Sequence, residues 1–121
     1  MNPDYALTPG GVADYPVKVG SMLLTLVDPE RGFERAYNRW YERDHFYAGC
    51  LIGPGLFAGA RWVATRELKR LRWPRESAIA APFDAGSYLA TYWVLAGAHD
   101  DHFEGWARPQ VRQLYGEGRG F

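Results

Sequence analysis

Only one cysteine, Cys50, occurs in 121 residues, so no disulfide can form within the chain, and that usage fits a reducing compartment. Long hydrophobic runs are missing as well. No apolar stretch approaches the ~18 residues that a membrane span needs. The N-terminus, Met-Asn-Pro-Asp-Tyr-Ala-Leu-Thr-Pro-Gly-Gly, has neither the basic nor the apolar region of a signal peptide, so a cytoplasmic location is expected. Net charge is absent too: 14 Lys and Arg balance 14 Asp and Glu, and the arginines are dispersed. Such a chain has no field to hold nucleic acid or an anionic membrane surface. Nor is there a glycine-rich phosphate loop, a nucleophile elbow or the spacing of a catalytic triad.

What the sequence has in excess is aromatic residues, at 16%, including five Trp and eight Tyr. Aromatics at that level line a core, an interface or a pocket. The length is that of one domain with one core, stable without disulfides or structural metal.

Residues 1–16 carry three prolines and two adjacent glycines and predict an irregular arm. Val17–Val27 is β-branched and leucine-rich with apolar groups on both faces, which predicts a strand buried on both sides for much of its length. Asp28-Pro29-Glu30 predicts a helix from Pro29, with Asp28 as N-cap and proline where no amide hydrogen is needed. Along it Phe33, Ala36, Tyr37, Trp40, Tyr41, Tyr47 and Ala48 form one stripe. Asp44 falls on that stripe by spacing, four residues after Trp40, and His45 follows Tyr41 by one turn.

Gly49–Gly55 ends the helix, and Leu56–Ala64 alternates as a second strand that places Arg61 at a pocket rim or in solvent. Thr65 to Trp73 predicts a short basic helix with Leu68 and Leu71 inward, and Arg75–Gly86 a loop, together an excursion over 65–86. Ser87–Leu95 carries the strongest strand signal. Asp100 or Asp101 then caps a helix in which Phe103, Trp106, Ala107, Val111, Leu114 and Tyr115 keep 3.6 spacing, broken by Pro109 between a segment ending near Trp106 and a restart. Gly116–Phe121 reads as a flexible end.

The order strand, helix, strand, excursion, strand, helix predicts an α+β, ferredoxin-like βαββαβ-type domain over 17–121 with an incomplete last strand. Either the chain is a shortened form, or the arm or a partner fills that edge. Two strands with apolar residues on both faces and one helical layer predict a homodimer through the sheet.

At Trp40-Tyr41-x-x-Asp44-His45, then Gly53-Pro54-Gly55-Leu56-Phe57 and Ala60-Arg61-Trp62, the sequence resembles the dimeric α/β-barrel superfamily, with EthD-like and related small-molecule tailoring proteins as the nearest pattern. The resemblance implies a ferredoxin-like monomer whose sheet packs on that of a second copy, leaving a cavity between sheet and helices. The 65–86 excursion and the missing last strand depart from that pattern.

Two readings of Asp44 and His45 stand side by side. In one, Asp44 beside a pocket tunes or orients His45 as general acid or base, with Tyr41 or Arg61 binding a substrate oxygen. In the other, Asp44 accepts from backbone or Arg61, and His45 caps the helix C-terminus. Trp40, Tyr92 and Trp62, with Tyr47 and Trp93, line an aromatic pocket or fill core and interface. His99 and His102 have i, i+3 spacing that can share a metal, yet a helix start collects Asp and His as caps, so no metal is expected. Cys50 reads as a small buried hydrophobe.

These expectations add up to an enzyme that needs no cofactor (cyclase, lyase or oxygenase-like) acting on an aromatic or polyketide-like molecule in a barrel cavity. The alternative is a non-catalytic ligand-binding or dimeric assembly module. A homodimer and a small-molecule ligand are the expected partners, with neither nucleic acid nor membrane.

Overall fold

The computed structural model describes residues 17–121; the arm expected over 1–16 lies outside the described residues. Three strands, β1 (Val19–Val27), β2 (Leu56–Val63) and β3 (Tyr88–Leu95), form an antiparallel sheet in the order β1-β3-β2. With its helices this is an α+β arrangement compatible with the ferredoxin-like class. The centre goes to β3, whose aromatic and β-branched residues best fit a pleated surface flanked on both sides. Tyr92 stands opposite Leu23 and Gly59, and Trp93 opposite Met22 and Ala58.

Because side chains alternate along a strand, Ala90, Tyr92 and Val94 face the helices and are buried, while Leu89, Thr91 and Trp93 face away with Met22, Leu24, Ala60 and Trp62. Among the described residues helices cover one face only. Within the single chain the first strand is not buried on both sides: Val19, Met22, Leu23 and Leu24 are 55, 40, 40 and 38% exposed. β1 is an edge strand, and among the described residues it pairs with β3 alone.

The first helix also departs from expectation. Asp28 does not cap a helix at Pro29; its carboxylate accepts from the Gly86 amide at 2.6 Å, the Ser87 amide at 2.8 Å and the Ser87 hydroxyl at 2.6 Å. The chain then turns at Gly32, whose φ of +92° suits a residue without Cβ, and α1 runs over Glu34–Trp40. It continues without interruption as a π-helix over Tyr41–Leu51.

In a π-helix the amide bonds to the fifth residue back rather than the fourth, so side chains recur at wider spacing than in an α-helix. Tyr41, His45 or Phe46, and Cys50 thereby share the face toward the sheet, while Tyr47, which 3.6 spacing places on the apolar stripe, is 59% exposed. Tyr37, Tyr41, Cys50, Ala90 and Tyr92 form the core, with Val27, Trp40, Phe46, Leu56 and Tyr88 packed around them. Gly59 lets this helix close on β2, since a Cβ there would stand 2.6 Å from Leu51 Cδ2.

Thr65 caps the five-residue α2 (Arg66–Arg70), accepting from the Leu68 amide at 3.4 Å. Leu68 and Leu71, expected inward, are 52 and 79% exposed. The excursion is held by polar contacts instead: Arg72 donates to the carbonyls of Phe83, Ala85 and Gly86, and Lys69 to the Ser87 hydroxyl.

After β3 come α3 (His99–His102), a second π segment (Phe103–Ala107) and α4 (Arg108–Gly116). The break expected before Pro109 is this wide segment, which accommodates a residue that cannot donate to the turn before it. Ala107 and Leu114 seal this helix against the rest. Its tail is not the loose end expected. Arg119 donates to Asp44 at 2.7 Å, its carbonyl accepts from Trp40 Nε1 at 2.8 Å, and Phe121 stacks on Trp40 at 5.5 Å between ring centroids. Among the described residues no helix is long and apolar enough to cross a membrane.

Candidate functional site

Between β1 and the two helices lies a cavity of about 530 Å³. Its sheet wall is Leu23, Thr25 and Tyr92, with Met22 of the edge strand at the border between the cavity and the sheet's other face; one helical wall is His45 and Cys50, and the other runs from His99 to Arg112. The cavity exists because β1 is the sheet's edge and its inner face is not fully covered by helix.

The floor is a row of hydroxyls. Tyr41 and Tyr92 share a short hydrogen bond between their hydroxyl oxygens, with Thr25 beside Tyr41 and Cys50 beside Tyr92 completing the chain of polar groups. Both tyrosines are buried, at 4 and 2% exposed. Burial pushes the ionisation of Tyr41 and Tyr92 upward and that of the Cys50 thiol up to about 11, so all three keep their protons at neutral pH.

His45 sits against the rings of Trp40 and Tyr41, at 5.0 and 5.1 Å between centroids. Desolvation lowers its pKa below the ordinary 6.5, so at pH 7 the imidazole is neutral and has a lone pair to offer. His102 is buried, and its Nδ1 lies 3.0 Å from the Pro54 carbonyl, which can only accept, so that nitrogen carries the hydrogen. Gly53 makes this approach possible: a Cβ there would fall 2.8 Å from His102 Cε1 and from Trp106 Nε1. That indole nitrogen is buried without a hydrogen-bond partner among the described residues. His99 Nδ1 meets Ser21 Oγ at 2.9 Å on the strand across the cavity. Among the described residues no group of three or more His, Cys, Asp or Glu is placed to hold a metal ion.

The structure separates the residues that the sequence grouped. His45 and Tyr92 line the cavity, and Tyr41 stands directly behind Tyr92. Asp44 does not join them. It is buried and turned to the C-terminal tail, where hydrogen bonds from Arg119 and Arg43, at 2.7 and 3.2 Å, hold its carboxyl below the usual carboxylate range. Arg61, the partner expected for Asp44, instead donates to Asn38 at 2.7 Å and to Glu42 at 3.4 Å and lies 4.1 Å over the Tyr41 ring, on the side of the helix away from the cavity lining. Trp40 lies between His45 and Phe121, and Trp62 is 60% exposed on the sheet's open face.

Sequence reasoning missed Thr25, Phe103, Glu104, Arg108, Val111 and Arg112 as lining residues. Thr25 was the one visible signal, a hydroxyl in the middle of an otherwise apolar run. Comparison of the chain with protein-family models, curated proteins and solved structures returned no match.

Proposed function

We propose that the cavity is the reaction chamber of a small-molecule enzyme that moves protons on an aromatic or polyketide-like carbonyl compound with its own side chains, as a cyclase or lyase would. The supporting observation is convergence: His45, His99 and His102, every histidine in the chain, stand around one cavity with Tyr92 at its floor. A volume of about 530 Å³ is in the range of ligand sites. In this reading neutral His45 takes a proton from the carbon next to a substrate carbonyl, the C–H electron pair becomes the carbon–carbon double bond of an enolate, and the carbonyl π pair moves onto oxygen. Tyr92, kept protonated by burial, donates to that developing oxyanion. The imidazolium returns the proton to product, so no co-reactant is consumed. Tyr41 orients Tyr92, and Asp44 acts at a distance by fixing the helix that bears His45.

The ferredoxin-like topology completed to a dimeric α/β barrel of EthD-like type belongs to the same proposal. Its support is the open sheet face, where Met22, Leu24, Trp62 and Trp93 are 40, 38, 60 and 38% exposed, a contiguous apolar surface suited to a second copy. That face also favours the second reading, an assembly or ligand-binding module. Deuterium uptake at the carbon next to the carbonyl of 1-tetralone, followed by NMR in D₂O, separates the two. Wild type should exchange faster than buffer, and His45→Gln should lose about 10²-fold or more of that excess. Equal exchange by both proteins would remove the enzyme reading and leave the module.

A further inference from the structure

The charges at the cavity's mouth do not balance. Its lining holds two arginines, Arg108 and Arg112, and one carboxylate, Glu104. Glu104 is already matched, with Oε2 3.1 Å from Arg108 Nη1 one turn along the helix. Arg112 follows four residues later and so stands on the same face of α4. Among the described residues it has no carboxylate within ion-pair distance. The lining also holds apolar side chains, Leu23, Phe103 and Val111, and the neutral hydroxyl of Tyr92. A guanidinium presents its donors in a planar fork that fits a carboxylate through two parallel hydrogen bonds, and apolar walls beside it strengthen the attraction.

The geometry points to an organic acid as the ligand of this cavity: a ring body held between Leu23, Phe103 and Val111, with its carboxylate outward on Arg112. This rests on the cavity being a ligand site, and it adds the ligand's charge and its direction of entry. A dianion fits less well, because the second arginine is occupied by Glu104. An uncharged isostere keeps the apolar contacts and loses only the ion pair.

The test uses the full chain and two tricyclic probes, anthraquinone-2-carboxylate and its uncharged amide, titrated calorimetrically at pH 7.5 in low and high salt. Wild type should prefer the acid by about two- to fivefold, the range of a partly exposed ion pair, and the preference should shrink in salt. Arg112→Gln should bind the two probes equally, with unchanged affinity for the amide. Leu23→Trp, at a half-exposed edge position that tolerates a larger ring, should block both. An acid that binds no better than the amide, or a preference that survives Arg112→Gln, overturns the organic-acid inference and leaves the cavity reading standing. Failure of both probes to bind wild type, or binding indifferent to Leu23→Trp, overturns the cavity reading and this inference together.

Discussion

The paired hydroxyls of Tyr41 and Tyr92 give the sharpest test of how the site is held. Both side chains are buried, Tyr92 at the cavity floor and Tyr41 behind it, and the protein groups at the two ends of the row are unequal. Tyr92→Phe leaves Tyr41 with the Thr25 hydroxyl, a full donor and acceptor. Tyr41→Phe leaves Tyr92 with the Cys50 thiol beside it, a weak partner within the protein, and takes a neighbouring hydroxyl from Thr25. A lost buried hydrogen bond costs about 1 kcal/mol and an orphaned buried donor ~1–3 kcal/mol. Tyr41→Phe should therefore cost about 2 kcal/mol and Tyr92→Phe about 1 kcal/mol, with the double variant close to the worse single, because removing both partners orphans less. Urea unfolding should show lower midpoints at unchanged slope, and melting temperatures should fall by about 4 °C for each kcal/mol. Strictly additive losses, or a Tyr92→Phe more damaging than Tyr41→Phe, would refute the partner accounting.

Acidification should act in two windows. His45 resists protonation in the folded state while the unfolded chain takes up a proton near pH 6.5, so stability should begin to fall as pH drops through 6.5, and His45→Gln should flatten that slope. Asp44 is lowered as well, here by the hydrogen bonds it accepts: its contribution is complete above its ordinary 3.8 and is lost as pH falls through its lower folded value, a separate, more acidic step that Asp44→Asn should erase. Arg119→Gln and Asp44→Asn should release the same tail, seen as new protease sensitivity after Gly116, and combining them should add little; fully additive effects would mean the pair does not act as a unit. Sedimentation should report a homodimer at micromolar concentration, abolished by Trp93→Asp on the open sheet face, and a wild-type monomer would count against sheet-to-sheet pairing.

The strands were legible because their signal is local: the aromatic and β-branched content of Tyr88–Leu95 and the alternation of Leu56–Val63 stand in the residues themselves. Asp28 was misread for the opposite reason. Asp-Pro-Glu is a sound helix start, but the amides of Gly86 and Ser87, nearly sixty residues away, compete for the same carboxylate and win. The apolar stripe puts Asp44 on a buried face, but neither the pocket nor the Arg61 expected beside it is there; its partner lies 75 residues along the chain in a glycine-rich tail that gives no hint of order. His45 could be picked out as a titratable residue in the helix before a glycine turn, and Tyr92 as an aromatic hydroxyl within a strand. The arginines at the cavity mouth could not, because a helix surface rich in arginine looks the same whether it faces water or a cavity.

The π-helical turn sequence from Tyr41 to Leu51 bears on how relatives of this chain are to be recognised. Each hydrogen-bonded ring holds one residue more than in an α-helix, so a homologue with an ordinary helix here reaches the same end point with fewer residues. Aligned by helix ends without a gap, its residue opposite His45 would be one that points elsewhere, and a shared site would look substituted. A single-residue deletion between Trp40 and His45 mimics that state: it shifts the phase of the imidazole around the helix axis while leaving every side chain chemically intact.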